Sequence, residues 1–280
     1  MSSMFNPIEY KINTRTNWNV VAPQYHNNWA NSNVGPFKST KELVKIAEIK
    51  SDDSVLDVAC GTGVVSKEIS YLLGNSGNLV GIDISRTALD IAKKSIQFRN
   101  IDFIEMDAEN LGFQTDFNKI VCQYGLMFFP DASKVLKSII DIMKKNGRIA
   151  IAVHGTQAGV PYFSCIMNSI LHYIPDIREK GTPTVHRFGN PEDLKNEIST
   201  AGFEDIKIKK LTFTYNTGSF DEYWTDYMNS TANSIWPKIK TKGTEVVNAI
   251  KKEAEKNTLA FIKNEKIEFP WDVLIATASK

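Results

Sequence analysis

The sequence predicts a doubly wound α/β fold, with a sheet of about seven strands that is mostly parallel and has an antiparallel edge. Three observations predict it. From residue 39 to 153, short apolar strands alternate with amphipathic helices, the signature of strand–helix–strand crossovers. The first strand runs into a glycine-containing turn and then a helix, in Val55-Leu-Asp-Val-Ala-Cys-Gly-Thr-Gly-Val-Val-Ser66. Two late strand-like runs, 203–215 and 272–278, follow the alternating region, and the earlier one is amphipathic.

Taken in order, residues 1–16 are polar with mixed signals and read as irregular. Trp18, Ala22, Tyr25 and Trp29 then share one helical face by their spacing. Pro23 interrupts that helix, because it removes a backbone donor. Ser39 to Ile49 is an amphipathic helix with Leu43, Ile46 and Ala47 inward. Val55 to Val58 is the first buried strand, and Val65, Ile69 and Leu72 make the stripe of the helix over 64–73. Gly74-Asn-Ser-Gly77 ends that helix with residues that tolerate the left-handed region.

The second strand, 78–84, carries Asp83 at its end. A helix follows from Ser85, placed as its cap, to Arg99. The third strand (101–106) leads into Asp107-Ala-Glu109, and the fourth (117–123) ends in Gln123. Val135, Leu136, Ile139, Ile140 and Met143 form a helical stripe stopped at Asn146-Gly147, and the fifth strand is 148–153. Beyond it the pattern loosens. An apolar helical segment lies between Pro161 and Pro175, and another helix starts with Pro191 in its first turn and ends at Gly202.

The chain thus divides into an N-terminal helical lid, 1–38, and one domain, 39–280. Inserts at about 155–188 and 216–268 are expected to shape a pocket over the strand ends. Lysine plus arginine, 33, nearly balances aspartate plus glutamate, 32, so bulk charge steers the chain to neither nucleic acid nor membranes. No run approaches the roughly 20 apolar residues of a membrane span, and the first residues show no basic-plus-apolar signal pattern. Cys60, Cys122 and Cys165 are isolated and read as reduced thiols of a cytoplasmic protein.

Glycines at the turn let the backbone take positive φ and let a ligand approach closely, and the next helix offers it unpaired N–H groups. Asp57 beside that turn repels a pyrophosphate but suits a cationic ammonium. The third glycine of a dinucleotide fingerprint would fall at Ser66. The residues therefore describe a nucleotide-type site for a ligand other than a dinucleotide.

These segments resemble the class I S-adenosylmethionine-dependent methyltransferases, with a Rossmann-like fold. Within that class they look most like the ubiquinone/menaquinone C-methyltransferase-like small-molecule group. The resemblance covers about 40–154. Val55 to Gly63 matches the glycine-rich first motif, with Ala59 at its usual first glycine. Gly81-Ile-Asp-Ile-Ser85 matches the second, in which Asp83 takes the ribose hydroxyls. Asp107-Ala108 matches the adenine-binding pair, and Cys122 to Asp131 the segment beside the methionine moiety. The resemblance implies S-adenosylmethionine as cofactor and S-adenosylhomocysteine as product. The implied cofactor set is Tyr25, Asp57, Ala59, Cys60, Gly61, Thr62, Gly63, Asp83, Ile84, Asp107, Ala108 and Gln123.

Methyl transfer from a sulfonium is an in-line displacement that needs alignment and exclusion of water. Aromatics crowd the lid and inserts, which suits an apolar or aromatic acceptor. Phe128, His154, Tyr162, His186 and Trp224 are the candidates for binding it. A base is needed for a hydroxyl or an acidic carbon, and His154 and His186 are the candidates. No residues have metal-ligand spacing. The partner is a small-molecule acceptor, with no nucleic acid, and the chain is a monomer or homodimer. A protein or RNA methyltransferase and a non-catalytic cofactor-binding module are the alternatives. Lysines of 238–264 interleaved with glutamates read as a solvated face, and intact Asp57, Asp83 and Asp107 speak against a decayed site.

Overall fold

A computed structural model describes residues 5–30 and 34–280. Its main sheet orders the strands β3-β2-β1-β4-β5-β8-β6. These are β1 (Ser54–Val58), β2 (Asn78–Asp83), β3 (Ile101–Glu105), β4 (Phe117–Gln123), β5 (Met143–His154), β6 (Glu204–Asn216) and β8 (Lys266–Ser279). A short strand, β7 (Ile262–Lys263), pairs with β8 in a hairpin. The first five strands are mutually parallel, and β8 lies antiparallel between β5 and β6. The parallel strands read as apolar runs because helices cover both faces of the sheet. Val55, Leu56 and Val58 of β1, and Ile149 to Val153 of β5, are buried.

Helices α2 (Thr40–Ala47), α3 (Val64–Ser70), α4 (Arg86–Ser95), α5 (Ala132–Asp141) and α7 (Pro191–Thr200) flank the sheet. Ser85 caps α4 by accepting from the Ala88 N–H at 3.2 Å, as its sequence position predicts. That helix stops at Ser95 rather than Arg99. Ile96 turns to extended backbone and packs beneath the glycine turn, its Cδ1 close to Gly63.

The N-terminal segment departs from the expectation of irregular chain. Helix α1 runs Pro7–Tyr25, with Asn6 as N-cap accepting from the Ile8 and Glu9 N–H groups. It has almost no apolar stripe, because its polar side chains bind the strand-end loops instead of a core. Pro23 sits within the last turn without ending the helix. The chain continues as a wider π turn, His26–Ala30, which absorbs the missing donor. The four-residue face of Trp18, Ala22, Tyr25 and Trp29 looks inward as predicted.

The last strand begins at Lys266, earlier than the expected Asp272, because Pro270 masks it. At Pro270 β8 pairs only with β6, since its pairing with β5 starts at Val273. A missing N–H costs nothing on that open side. The region expected as two inserts holds α6 (Pro161–Tyr173), then α8 (Phe220–Asn229), α9 (Trp236–Lys240) and α10 (Thr244–Thr258). Among the described residues, no helix is long and apolar enough to cross a membrane.

Candidate active site

The C-terminal ends of β1 to β5 share one edge of the sheet, and a cavity of about 550 Å³ opens there beneath α1. The turn after β1 forms its floor. Ala59 sits at φ 56°, in the left-handed region, and so do Gly61 at 54° and Gly63 at 88°. The Gly61 N–H donates to Asp83 Oδ2 at 2.9 Å, and the Ser85 N–H donates to Asp83 Oδ1 at 2.8 Å. Each oxygen keeps further accepting capacity, and Asp83 lines the cavity. Burial raises the Asp83 carboxyl above its ordinary value, against the pull of these N–H donors.

Asp57 lies deeper. Ser66 Oγ donates to its Oδ2 at 2.6 Å, while Oδ1 is buried with no partner. Burial first, and then the charge of Asp83, push its carboxyl up to about 7. An orphaned acceptor beneath a glycine turn suits a cationic or N–H-rich ligand group above it. No atom lies within 4 Å of where a Cβ on Gly61 would point, so that flank is open.

At the next strand end, Asp107 Oδ1 accepts from the Glu109 N–H at 3.0 Å. Its Oδ2 accepts from Lys11 Nζ at 2.7 Å and from Asn110 Nδ2 at 3.1 Å. Lys11 also reaches Glu109, and Arg15 pairs with Glu105. Asn19 Oδ1 accepts from Ser85 Oγ and the Thr87 N–H, and the His26 ring bonds Thr62 Oγ1 at 3.0 Å. Helix α1 and the turn after it are thus fastened to three consecutive strand-end loops. Sequence reading missed Lys11, which lies where it expected irregular chain, and Asn19, which lies in the expected helix but off its aromatic face. Asn6 as a cap followed by Pro7 in the first helical position was the available signal.

Gln123 lines the cavity, but Ser39 and Thr40 hold its amide, at 2.9 and 3.0 Å. Tyr124 follows at φ 59°, its hydroxyl bonded within the same cluster to Ser39 and Pro36. The far end of the cavity is apolar, with Phe128, Phe163, Met167, Leu171, Tyr227 and Ile235 in its wall. Phe128 stands 6.5 Å from Trp18, which stands edge-on to Tyr25 at 5.3 Å.

Most of the predicted residues meet at this cavity: Tyr25, Ala59, Cys60, Gly61, Thr62, Asp83, Ile84, Asp107, Ala108, Gln123, Phe128, His154 and His186. Four do not line it. Gly63 faces α4 and Asp57 is covered by Ser66. Tyr162 is fully buried in an aromatic cluster with Trp29, Tyr223 and Trp271, its hydroxyl donating to Asp226 at 3.1 Å. Trp224 packs against Phe220 and Trp236 on the outer layer. Both were candidates for acceptor contact on aromatic composition, which does not separate core rings from pocket rings. Trp271 was missed with the start of its strand. Among the described residues, no cluster of three or more His, Cys, Asp or Glu could hold a metal ion.

This strand order, with one antiparallel strand next to the edge and acids at three successive strand ends, defines a doubly wound α/β protein with a nucleoside-type site. The chain belongs to the methyltransferase domain family, whose model matches residues 49–221. It is a class I methyltransferase of the S-adenosylmethionine-dependent type. A demethylmenaquinone methyltransferase of Staphylococcus saprophyticus is 27% identical over 69% of this chain and 84% of its own length. An aklanonic acid methyltransferase of a Streptomyces species is 30% identical over 60% of this chain and 82% of its own. The crystal structure of the YcgJ protein from Bacillus subtilis shares the fold, with a TM-score of 0.59 and 17% identity over 87% of this chain and 98% of that one.

Proposed function

We propose that the chain binds S-adenosylmethionine across the ends of β1 to β4 and transfers its methyl group to a small, aromatic or apolar acceptor. The observation that carries this is the two-ended cavity, with acids and a glycine turn at one end and aromatic rings at the other. Asp83 would take the ribose hydroxyls, Asp107 and Ala108 the adenine edge, and the Gly61 flank the amino-acid moiety above Asp57. The open flank of Gly61 fits that group, with the Asp57 carboxyl buried beneath the turn.

The cofactor supplies an electrophilic methyl on a positive sulfur. This chain's residues bind, orient and keep water out. Tyr25, Trp18 and Phe128 favour a cation through their faces without neutralising it, as a carboxylate would. Helix α1 acts as the lid, and the segments after β5 and β6 shape the acceptor end. Relatives named for methylation of demethylmenaquinone and of aklanonic acid support a ring-like acceptor for this chain as well.

Calorimetric titration with S-adenosylmethionine and S-adenosylhomocysteine tests the reading. Micromolar binding of both, about −8 kcal/mol, is expected, followed by turnover in a screen of quinols, phenols and amines. Absence of binding by either ligand overturns it.

A further inference from the structure

The acceptor end of the cavity has a direction. On α6, Phe163, Met167 and Leu171 stand four residues apart, so they share one helical face, and all three line the cavity. At 1.5 Å per residue this apolar track is about 12 Å long. Phe163 marks its inner end, packed against His154 at the end of β5 with ring centroids 5.0 Å apart. Beyond its outer end come the buried Ile177 and then Arg178, both in the cavity wall. The track therefore runs from an aromatic end to a guanidinium.

Arg178 is half-buried, and its Nη2 donates to the Pro183 carbonyl at 2.5 Å. Arg187, also half-buried, donates from Nη1 to the carbonyl of Phe129, another cavity residue, at 2.8 Å. These carbonyls orient the two guanidiniums without neutralising them, and each guanidinium has five N–H donors to use. Among the described residues neither arginine forms an ion pair. Their charges converge on Tyr10, which lines the cavity from α1. Burial raises its phenol, and both arginines pull it back down. The adjacent acids in the wall, Glu9 and Glu179, are exposed, where solvent screens them, and the exposed Lys238 adds a further cation. Two half-buried cations without a counterion suit an anion brought by the ligand.

We propose that the methyl acceptor is an elongated acid, with its carboxylate bound by Arg178 beside Arg187 and its apolar body lying along Phe163, Met167 and Leu171. This rests on the methyltransferase reading above and names the acceptor class for it. A planar guanidinium meets a carboxylate with two parallel N–H bonds, which fixes direction as well as affinity. The carboxylate is a handle and not the methylated group. Tyr10, beside the two arginines, lies at the far end of α1 from Tyr25, about 22 Å away by helical rise, and Tyr25 stands at the proposed sulfonium end. An anion held by cations is also a poorer nucleophile. Methylation therefore falls on an atom at the inner end of the acceptor, next to Phe163.

The test uses anthracene-2-carboxylate and anthracene-2-carboxamide, fluorescent probes of one shape that differ by a charge, with the protein saturated by S-adenosylhomocysteine. The wild type is expected to bind the carboxylate about tenfold or more tighter than the carboxamide, as charged hydrogen bonds predict. Arg178→Gln is expected to lose that preference while keeping its affinity for S-adenosylhomocysteine and for the carboxamide. Arg178→Lys, which keeps the charge but not the fork, should retain part of it. If S-adenosylhomocysteine binds but neither probe does, or the two bind equally, or Arg178→Gln keeps the preference, the acid assignment is overturned and the cofactor reading stands. Tighter binding of anthracene-2-yl phosphate than of the carboxylate would overturn the carboxylate in favour of a phosphate ester. If S-adenosylhomocysteine does not bind the wild type, the cofactor reading itself fails.

Discussion

Lys11 Nζ donates to Asp107 Oδ2 at 2.7 Å, joining the first helix to the loop after β3 across 96 residues of chain. Partial burial opposes both charges, yet the contact, with the second bond to Glu109, leaves Asp107 below its ordinary pKa and Lys11 above its own. This latch sits where adenine is proposed to bind, so release of a bound nucleoside is expected to require α1 to lift. Lys11→Ala is expected to speed S-adenosylhomocysteine dissociation about two- to fivefold, the range for a half-exposed ion pair. Raising the salt concentration should speed release from the wild type and leave the variant less affected. Stopped-flow dissociation measures both, and an unchanged off-rate would remove the latch.

The two glycines of the turn serve different ends. A Cβ on Gly63 would lie 2.7 Å from Ile96 Cδ1 and 3.0 Å from Ala92 Cβ, at φ 88°. Gly63→Ala is expected to destabilise the fold by about 2–4 kcal/mol, from left-handed strain and overpacking together. Gly61 has open space, so Gly61→Ala should cost about 1 kcal/mol of stability from its φ alone. Its methyl would enter the cavity, and affinity for S-adenosylhomocysteine should fall roughly tenfold or more. Urea midpoints and calorimetry on the two variants separate folding from binding.

The sheet and the strand-end acids were legible in the sequence because buried parallel strands and capped helices leave local signals. Val55 to Val58, Ser85 and Asp83 carry their roles in their immediate neighbours. Helix α1 was half-legible. Its aromatic face was readable, but Lys11 and Asn19 act through contacts with loops far along the chain. The aromatics after residue 155 were least legible. Tyr162 and Phe163 are adjacent, yet one is the hub of the core and the other lines the cavity. Only the packing of α6 against the sheet separates them.

Tyr162→Phe tests that distinction. The ring and its contacts remain, and only the hydroxyl bond to Asp226 is lost, while Asn28 still donates to that carboxylate at 3.0 Å. A loss of about 1 kcal/mol in stability is expected, with cofactor and acceptor affinities unchanged. Phe128→Ala should do the reverse at the acceptor end, raising KM for the acceptor at nearly constant affinity for S-adenosylhomocysteine, which has no sulfonium charge for the ring to favour. A large rise in acceptor KM for Tyr162→Phe would return that residue to the pocket.

Asp57 gives the free protein a pH dependence with a definite sign. Between the ordinary carboxylate value of 3.8 and about 7, the folded chain holds a proton that the unfolded chain has released. Stability from this group is therefore present at low pH and is lost as pH rises through that window. Asp83, raised by burial, adds in the same direction. His26, His154 and His186 act oppositely. Burial depresses all three, so over the window below 6.5 the unfolded chain binds more protons and stability rises with pH. The total slope mixes the two sets, and the informative quantity is the difference between variant and wild type. Asp57→Asn keeps an acceptor for Ser66 and removes the titration. It should be more stable than the wild type at pH 8, with the advantage shrinking towards pH 5, when urea midpoints are compared without cofactor. A constant difference across pH 5–8 would mean that Asp57 titrates at its ordinary value in the folded chain.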